Sequence, residues 1–390
     1  RKALLLCTKG RFLDNRGAKF DNPNSMFHAV SNHPGGHMSD SKVDRRRFLK
    51  SGAVLAGFAA GGARTAGAPS RDIYAIPDDT LAYGKRSKYV DSIRVVDEDE
   101  THEAYGRHLG GLAPLQDSMG NITPNPLHFV TMHGYYPPDI DPAKHKLMIH
   151  GLVDRPLVFS MDDLKRMPSV SRVHFLECQA NRPENKGETV QLSHGKTSCA
   201  EWTGVLLSTI LNEAGADPNA EWVLYEGAEP GKMIKSLPMK KAVLDVIVAY
   251  GQNGEPITPQ NGFPLRMLVP GFEALYSIKW LRRIKVVDRP YMGYQEIRQY
   301  TERPGRIADE RTPFFNYEMG PKSVITAPSG GQRLAGRGFQ QITGLAWSGG
   351  GAIRRVEVST DNGRSWRDAE IQGTPQSMAH TRFNLAWNWD

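Results

Sequence analysis

Cysteine is scarce in this chain, with three among 390 residues. No Cys-x-x-Cys-His sequence occurs, which excludes covalently attached haem c in this chain, and no Cys/His zinc spacing is present. The chain also lacks a Walker loop and a Gly-x-Gly-x-x-Gly that follows a strand and opens a helix. It contains no run of about 20 apolar residues, so we expect no membrane span.

The net charge of +7 is confined to the N-terminal end of the chain. Residues 1–68 hold 12 Lys/Arg and 4 Asp/Glu, a net charge of +8, whereas residues 69–390 hold 37 and 38, a net charge of −1. Because a nucleic-acid site needs basic residues in the folded body of a protein, we predict no nucleic-acid partner.

The basic leader has the pattern of an export signal. Three consecutive arginines within residues 44–50 precede a weakly apolar, Gly/Ala-rich run over residues 51–63, and Ala-Gly-Ala follows at 66–68. This resembles a twin-arginine signal, which predicts a periplasmic protein that is exported already folded. The alternative is an arginine cluster beside an alanine-rich helix. Because Met38 stands where a signal would start, we expect residues 1–37 to be an upstream extension.

Two cysteines remain after this leader, which includes Cys7. In an oxidising compartment Cys178 and Cys199 have the option of forming a disulfide. The other interpretation is that one of them is a functional thiol.

Short apolar runs rich in Val, Ile, Leu and aromatic residues recur between residues 121 and 288 and predict strands. The runs are Lys146–Val153, Arg172–Cys178, Glu221–Gly227, Val246–Tyr250, Pro264–Pro270 and Ile278–Val287. Helical patterns lie between them: a capping box at Ser160–Asp163, an apolar stripe over Gly204–Ala214, and Met239–Leu244 after Pro238. Irregular alternation of this kind predicts an α+β domain.

The C-terminal region reads as β structure. Strands are predicted at Gln340–Trp347, Ile353–Thr360 and Arg382–Trp389, with a hairpin turn at Asp361–Gly363. The pattern predicts an immunoglobulin-like β-sandwich, but such a fold has about seven strands, so we expect this domain to be truncated.

The predicted organisation is therefore an upstream extension (1–37), a signal peptide (38–68), an N-terminal arm (69–120), a catalytic domain (121–288), a linker (289–320) and an incomplete sandwich domain (321–390).

One segment carries most of the chemistry. Residues 175–182, Phe-Leu-Glu-Cys-Gln-Ala-Asn-Arg, deliver Cys178 from a predicted strand to a loop that contains Asn181 and Arg182. Nearby positive charge lowers a thiol pKa and favours the thiolate, which is the form that binds soft metals.

This segment resembles the metal-binding loop of the sulfite oxidase family, whose cysteine ligates a molybdopterin-bound molybdenum. Further segments follow the order and spacing of that family: residues 129–134, 253–256, 262–266, 269–271 and 277–281, then 356–359, 361–363 and Trp366 in its dimerisation domain. The resemblance therefore implies a sulfite-oxidase-type molybdopterin domain followed by a dimerisation domain.

The resemblance also implies a role for particular residues. Cys178 would coordinate molybdenum, and the cofactor would be bound by His133, Asn181, Asn261, Arg266, Ser277 and Lys279. Arg182, Lys235 and Tyr300 are the candidate catalytic residues beside Cys178, the first two as anion contacts and the third as the active-site tyrosine. Structural alternatives stay open for several: strand-face salt bridges for Arg266 and Lys279, a polar core residue for His133, and a surface aromatic for Tyr300.

The predicted substrate pocket departs from the family. Thr131 and Pro183 stand where sulfite oxidases have pocket arginines, and Leu192 stands near the position of a pocket tryptophan. These departures resemble the sulfane (sulfite) dehydrogenases of thiosulfate oxidation, which act on sulfur carried on a protein thiol.

The resemblance implies an enzyme that oxidises a sulfur substrate by oxygen-atom transfer and passes electrons to a separate c-type cytochrome. Its implied partners are a sulfur-carrier protein or sulfite, and a second copy of the chain within a heteromer. The alternatives are a sulfite dehydrogenase that uses free sulfite, a methionine-sulfoxide reductase of the same superfamily, which lacks the sandwich domain, and a secreted β-sandwich binding module without metal.

Overall fold

The computed structural model describes residues 7–9, 84, 86–102, 106–132, 136–181, 187–298, 315 and 317–389. The predicted signal peptide lies outside these residues. The chain divides into two compact units, one of residues 13–90 and the other of residues 1–12 and 91–390. Of the first unit only residue 84 and residues 86–90 are described, with a turn at residues 88–89.

The larger unit consists mainly of strands. They are β1 (Cys7–Lys9), β2 (Val95–His102), β3 (Gly106–Leu112), β4 (Val130–Met132), β5 (Lys146–Gly151), β6 (Leu157–Ser160), β7 (Ser169–Glu177), β8 (Thr197–Leu206), β9 (Trp222–Gly227), β10 (Ile234–Pro238), β11 (Ile247–Gln252), β12 (Glu255–Pro256), β13 (Arg266–Leu268), β14 (Leu281–Val287), β15 (Lys322–Ala327), β16 (Gly338–Trp347), β17 (Glu357–Ser359), β18 (Arg367–Asp368), β19 (Glu370–Ile371) and β20 (Thr381–Trp389).

The described helices are short. They are α1 (Met161–Arg166), α2 (Val190–His194), α3 (Leu207–Ala214), α4 (Met239–Ala242) and α5 (Tyr294–Arg298), with 3₁₀ turns at Leu115–Asp117, Asn125–Leu127, Pro259–Asn261 and Ala274–Tyr276. Among the residues that the structure describes, no helix is long and apolar enough to cross a membrane.

Two sheets form the central part of the molecule. The first has the order β10-β9-β14-β5-β6, in which β14 and β5 are parallel, and the second has the order β12-β11-β8-β7, with β13 also paired to β11. A buried cluster that includes Ile149, Tyr225 and Ile284 of the first sheet and Val205 and Val248 of the second lies between them. Apolar burial on this scale is the main stabilising contribution to the domain.

The second central sheet is buried on its other face as well. Phe175 and Trp202 of this sheet belong to a core cluster with Val324 and Trp347, which lie on β15 and β16. Those two strands belong to a C-terminal sheet of order β15-β16-β20-β19. The end of β7, where Cys178 follows, is therefore enclosed between the central domain and the C-terminal region.

Most predicted strands of the central domain are confirmed, but two elements differ from the prediction. The predicted helix over Gly204–Ala214 is wrong in its first turn, because residues 204–206 end strand β8 and the helix begins at Leu207. Strand β8 itself was not predicted, since Thr197–Leu206 is buried on both faces and shows no alternation of polar and apolar residues. The capping box is confirmed, with Ser160 accepting a hydrogen bond from the Asp163 amide.

The N-terminal arm is less peripheral than we predicted. Strands β2 and β3 form a small sheet with β4, and Leu112, Ala113 and Leu115 at its end are buried at 5%, 1% and 2% exposure. The last part of the arm therefore packs into the core. Its apolar side chains are stabilised there because burial removes more of their surface from water than an extended strand on the surface would.

The C-terminal strands at Gly338–Trp347 and Thr381–Trp389 confirm two predictions, and the third predicted strand is shorter, at Glu357–Ser359. The predicted turn is confirmed by positive φ at Asn362 (61°) and Gly363 (82°), between the antiparallel strands β17 and β18. The immunoglobulin-like topology stays a prediction. Strand β1 pairs with β17. This pairing does not test whether residues 1–37 are an upstream extension, which stays a prediction.

Candidate functional site

A single pocket brings together most of the predicted site residues that the structure describes. It encloses about 990 Å³, including its opening to solvent. Its walls are formed by His128, Phe129, Val130, Thr131, Met132, Leu176, Cys178, Gln179, Glu229, Gly231, Met233, Asn261, Arg266, Ala274, Leu275, Ser277, Ile278, Lys279 and Trp280.

Cys178 stands where β7 ends. Its amide donates to the Lys196 carbonyl over 3.0 Å, and its own carbonyl accepts from the Asn181 amide over 2.9 Å. Burial raises the pKa of the Cys178 thiol, and this effect is larger than the lowering by nearby Lys196. A nearby cation thus lowers this pKa as expected, but desolvation disfavours the thiolate more than Lys196 favours it. Arg182, the cation named from the sequence, lies outside the described residues.

The disulfide alternative is also wrong, because both Cys178 and Cys199 are free thiols. Cys199 lies on β8 opposite Phe175 and is fully buried, and burial raises its pKa to about 12. A thiol in this environment is chemically inert, so Cys199 acts as a small core residue.

Arg266 is part of the pocket wall. Its two terminal nitrogens donate to the carbonyls of Asn261 and Ser277, each over 2.7 Å, and its guanidinium carbon lies 5.0 Å from the centre of the Trp202 ring. Burial lowers its pKa to about 9. The third nitrogen, Nε, is buried without a partner among the described residues. Arg266 therefore fixes two turns of the pocket while adding positive charge to it.

Lys279 occupies the same wall. Its ammonium donates to the carbonyls of Thr131 (2.8 Å) and Gln260 (3.1 Å) and lies 4.6 Å from the centre of the Trp280 ring. Burial, followed by the charge of Arg266, lowers its pKa to about 7. A bound anion would reverse part of this shift, because an opposite charge favours the protonated lysine.

A tight turn sets the spacing between these two cations. Gly262 adopts a left-handed conformation with φ of 116°, and a Cβ atom there would lie 3.1 Å from Lys279 Cβ and 3.2 Å from Arg266 Cβ. Asn261, which precedes it, is buried, and its Nδ2 has no partner among the described residues. Ser277 Oγ accepts from the Val269 amide over 3.0 Å. At position 262 only glycine combines the left-handed φ with such close contacts to Lys279 and Arg266.

Two pocket residues were missed by the sequence analysis. Glu229 is 7% exposed, burial raises its pKa, and its Oε2 has no partner among the described residues. His128 is 1% exposed, and burial lowers its pKa to about 3, so its imidazole is neutral. No sequence pattern singles out either residue, because each reaches the pocket through a turn whose direction depends on the tertiary fold.

Two predicted site residues do not line the pocket. The Asn181 side chain instead donates to Glu177 Oε1 over 2.8 Å and accepts from the Lys196 amide over 3.3 Å. Lys235 is fully buried, with its ammonium 5.6 Å from the centre of the Tyr276 ring, and burial lowers its pKa to about 8. The charges of Glu296 and Glu273 act on the Lys235 pKa in the opposite direction. The role of Lys235 as an anion contact stays a prediction.

Of the other predicted positions, the structure describes Thr131 and Leu192. Thr131 lines the pocket, whereas Leu192 is 42% exposed on α2 and is not part of the pocket wall. His133, Arg182, Pro183 and Tyr300 lie outside the described residues, so their roles stay predictions.

The donors and acceptors of the pocket fit an anionic cofactor with a heterocyclic ring. Arg266 Nε and Asn261 Nδ2 are buried donors without protein partners among the described residues, and Lys279 adds a cation. Such groups suit phosphate oxygens, whereas Glu229 Oε2 suits the N–H groups of a pterin ring. Because an unpaired buried polar atom destabilises a fold, these atoms indicate a ligand.

Comparisons with known proteins agree with this assignment. The oxidoreductase molybdopterin binding domain family matches residues 133–295, and the Mo-co oxidoreductase dimerisation domain family matches residues 314–390. The solved structure of the sulfane dehydrogenase SoxCD from Paracoccus pantotrophus superposes with a TM-score of 0.72 and 33% identity, over 84% of this chain and 82% of that chain.

Curated relatives include mitochondrial sulfite oxidase of Mus musculus and nitrate reductase [NADPH] of Phytophthora infestans. The first is 31% identical over 69% of this chain and 52% of its own length, and the second is 33% identical over 73% of this chain and 35% of its own length. The chain thus spans about a third to a half of the length of these two curated relatives. From the two domain matches and the structural likeness together, the chain belongs to the sulfite oxidase family of molybdopterin-binding oxidoreductases.

Proposed function

We propose that this protein oxidises sulfane sulfur bound to a carrier protein, in the periplasm, and passes the electrons to a separate c-type cytochrome. The proposal is supported by the likeness to a sulfane dehydrogenase, which extends over 82% of that chain. It is also supported by the leader, whose arginine triplet and apolar run resemble a twin-arginine signal.

The observation that carries the choice of substrate is the position of Thr131. This residue lines the same pocket as Cys178, and its side chain offers a hydroxyl where the family resemblance places an arginine. A free dianion such as sulfite is bound mainly by charge-assisted hydrogen bonds, each contributing about 1.5–3 kcal/mol. A carrier-bound substrate has less need of this charge, because the surface of its carrier supplies further contacts.

Several pocket residues have a role in this proposal. Cys178 would hold the molybdenum, while Lys279 and Arg266 would hold the anionic part of the cofactor and Glu229 its ring. When bound, the cofactor would supply the chemistry of oxygen-atom transfer from water to the substrate sulfur, with two electrons and two protons released for each oxygen added. The protein contributes position and charge, and the apolar wall formed by Phe129, Leu275 and Ile278 restricts the access of water.

A steady-state comparison of substrates tests the proposal. The protein loaded with molybdenum would be given free sulfite, a sulfane on a carrier-protein thiol and, because nitrate reductases are among its relatives, nitrate with a reductant. We expect the carrier-bound sulfane to give the highest kcat/KM with oxidised cytochrome c as acceptor. Efficient turnover of micromolar sulfite without turnover of the sulfane would establish a sulfite dehydrogenase instead. If the purified protein takes up no molybdenum during loading, the binding-module alternative is favoured instead.

Export is tested separately from catalysis. Replacement of Arg45 and Arg46 by Lys should retain the protein in the cytoplasm, because the arginine pair is recognised by a receptor and not by its charge alone. Replacement of Arg64 by Lys, within the predicted signal peptide but outside the arginine triplet, serves as the control and should leave export unchanged. Normal periplasmic accumulation of the double variant would contradict the proposed route.

A further inference from the structure

A buried carboxylate stands directly before the predicted metal ligand. Glu177 is the last residue of β7, and its side chain is completely buried. Its Oε1 accepts from Asn181 Nδ2 over 2.8 Å and from Lys322 Nζ over 2.5 Å, and its Oε2 accepts from Trp347 Nε1 over 2.6 Å. We call Glu177, Asn181, Lys322 and Trp347 the Glu177 cluster. It lies outside the pocket wall and takes no part in the proposed chemistry.

The cluster connects two regions that are distant in sequence. Lys322 begins β15 and Trp347 ends β16, and the two residues are paired across these strands. One end of the C-terminal sheet therefore presents an ammonium and an indole N–H to the same carboxylate. Lys322 Nζ also donates to the Asn181 backbone carbonyl, so the C-terminal sheet contacts both Glu177 before Cys178 and Asn181 after it.

The turn that carries Cys178 is closed by further bonds. The Asn181 amide donates to the Cys178 carbonyl over 2.9 Å, and the Asn181 side chain accepts from the Lys196 amide over 3.3 Å. The Cys178 amide in turn donates to the Lys196 carbonyl. The Cys178 backbone is therefore bonded to Lys196 through its amide and to Asn181 through its carbonyl, and Asn181 and Lys196 are bonded to each other. A displacement of Asn181 would therefore be transmitted to Cys178.

A carboxylate is the side chain that suits this position. All three side-chain groups that bond to it are donors, so an amide in its place would direct an N–H group at another donor. A buried charge is costly unless it is paired and fully hydrogen-bonded, and Glu177 meets both conditions. A group of this kind tolerates little displacement, since any shift breaks bonds that water cannot replace.

We propose that Glu177 is a positioning residue through which the C-terminal domain sets the orientation of the Cys178 thiol toward the pocket. The C-terminal domain then contributes to the metal site from within its own chain, in addition to its part in dimerisation. The inference rests on the proposed role of Cys178 as the metal ligand. A simpler role for the cluster, attachment of one domain to the other, is the alternative that an experiment must exclude.

The experiment uses the full-length chain, prepared with its cofactor and from a host that cannot make the cofactor. Trp347→Phe removes one donor and keeps the aromatic ring and the Lys322–Glu177 pair. Lys322→Met removes the ammonium at similar length, and Lys322→Arg restores the charge. Arg355→Met is the matched control, because Arg355 pairs with Asp368 and Glu357 in the same C-terminal region, without contact to the cluster.

Two measurements distinguish positioning from attachment. In the cofactor-free chain, the rates at which iodoacetamide alkylates Cys178 and Cys199 are followed by peptide mass spectrometry. We expect Trp347→Phe to raise the Cys178 rate by about threefold and Lys322→Met by about tenfold through local opening, with Cys199 unchanged. In the loaded chain, the paramagnetic resonance spectrum of the partly reduced molybdenum should shift in both variants, and Lys322→Arg and Arg355→Met should match the wild type.

Equal increases in the alkylation rates of Cys178 and Cys199 would show that the whole fold opens more readily, and would overturn the inference. Unchanged alkylation rates or an unshifted spectrum would overturn it as well. If Lys322→Met does not fold, Trp347→Phe alone decides between these outcomes, because it retains the ion pair. The role of Cys178 is checked independently in the wild type. If the bound cofactor does not protect Cys178 from alkylation, the proposed metal ligand is wrong, whatever the variants show.

Discussion

The cofactor side of the pocket and its predicted substrate side differ in how their polar groups are held. On the cofactor side, Arg266 and Lys279 donate to the carbonyls of Asn261, Ser277, Thr131 and Gln260, so their charges are fixed before any ligand binds. On the substrate side, the described contribution is the hydroxyl of Thr131. The described residues therefore show a cofactor side whose cations are held by main-chain acceptors, whereas the predicted substrate-side residues Arg182 and Tyr300 lie outside the described residues.

The largest expected effect comes from the residue that both sides share. Cys178→Ser should lower turnover by at least about 10³, because a hydroxyl is a poor ligand for a soft metal. Molybdenum content and kcat would be measured on the purified protein. Cys199→Ser is the matched control: it should keep most of the turnover and lose some thermal stability. Substantial activity of Cys178→Ser would remove this residue from the centre of the site.

Removing a charge from the cofactor side should have the next largest effect. Arg266→Met deletes two bonds that brace the pocket turns and one buried donor. At about 1.5–3 kcal/mol for a charge-assisted bond, we expect cofactor retention to fall by about 10². The measurement is molybdenum and pterin bound per chain after dialysis. Arg283→Met, which breaks a pair with Glu226 away from the pocket wall, should retain the cofactor.

Adding a cation at position 131 should make the predicted substrate side resemble the cofactor side, which already holds fixed cations. Thr131→Arg should lower the KM for free sulfite by about tenfold or more, because one charge-assisted bond contributes about 1.5–3 kcal/mol. The same change should impair turnover of a carrier-bound sulfane by narrowing the entrance. Thr131→Val, which removes only the hydroxyl, controls for shape. An unchanged KM for sulfite would show that the identity of residue 131 does not select the substrate.

The smallest kinetic effect is expected at Lys235. Because its side chain is fully buried and lies outside the pocket wall, Lys235→Met should change the KM for an anionic substrate by less than about twofold. A large increase in KM would show that Lys235 reaches the substrate after all.

The same variant should change how stability depends on pH. The ordinary pKa of Lys235 is 10.5 and burial lowers it to about 8, so the folded protein releases this proton first. Between about pH 8 and 10.5 the unfolded chain binds the extra proton, and the free energy of unfolding rises with pH. Relative to Lys235→Met, the wild type should gain up to about 3 kcal/mol across this window. Urea unfolding at several pH values measures the difference.

The sequence was sufficient to predict the elements that carry a local pattern. The strand before Cys178, the capping box at Ser160 and the turn at Asn362–Gly363 are all confirmed, because each depends on neighbours within a few residues. Strand β8 escaped prediction, since both of its faces are buried and its pattern resembles neither a half-exposed strand nor an amphipathic helix. Nor does any local signal tell which side of a strand faces a pocket, so the sequence left open that Lys235 lies outside the pocket wall.

By itself, the sequence determined which chemistry-bearing residues are present and in what order: Cys178 after a strand, then Asn261, Arg266, Ser277 and Lys279. Only the tertiary structure decided which of them meet. It places Asn261, Arg266, Ser277 and Lys279 in one pocket with Cys178, and it turns Asn181 away to Glu177. The reason is physical: a pocket is made of contacts between distant segments, and burial and charge at each position depend on all of those segments together.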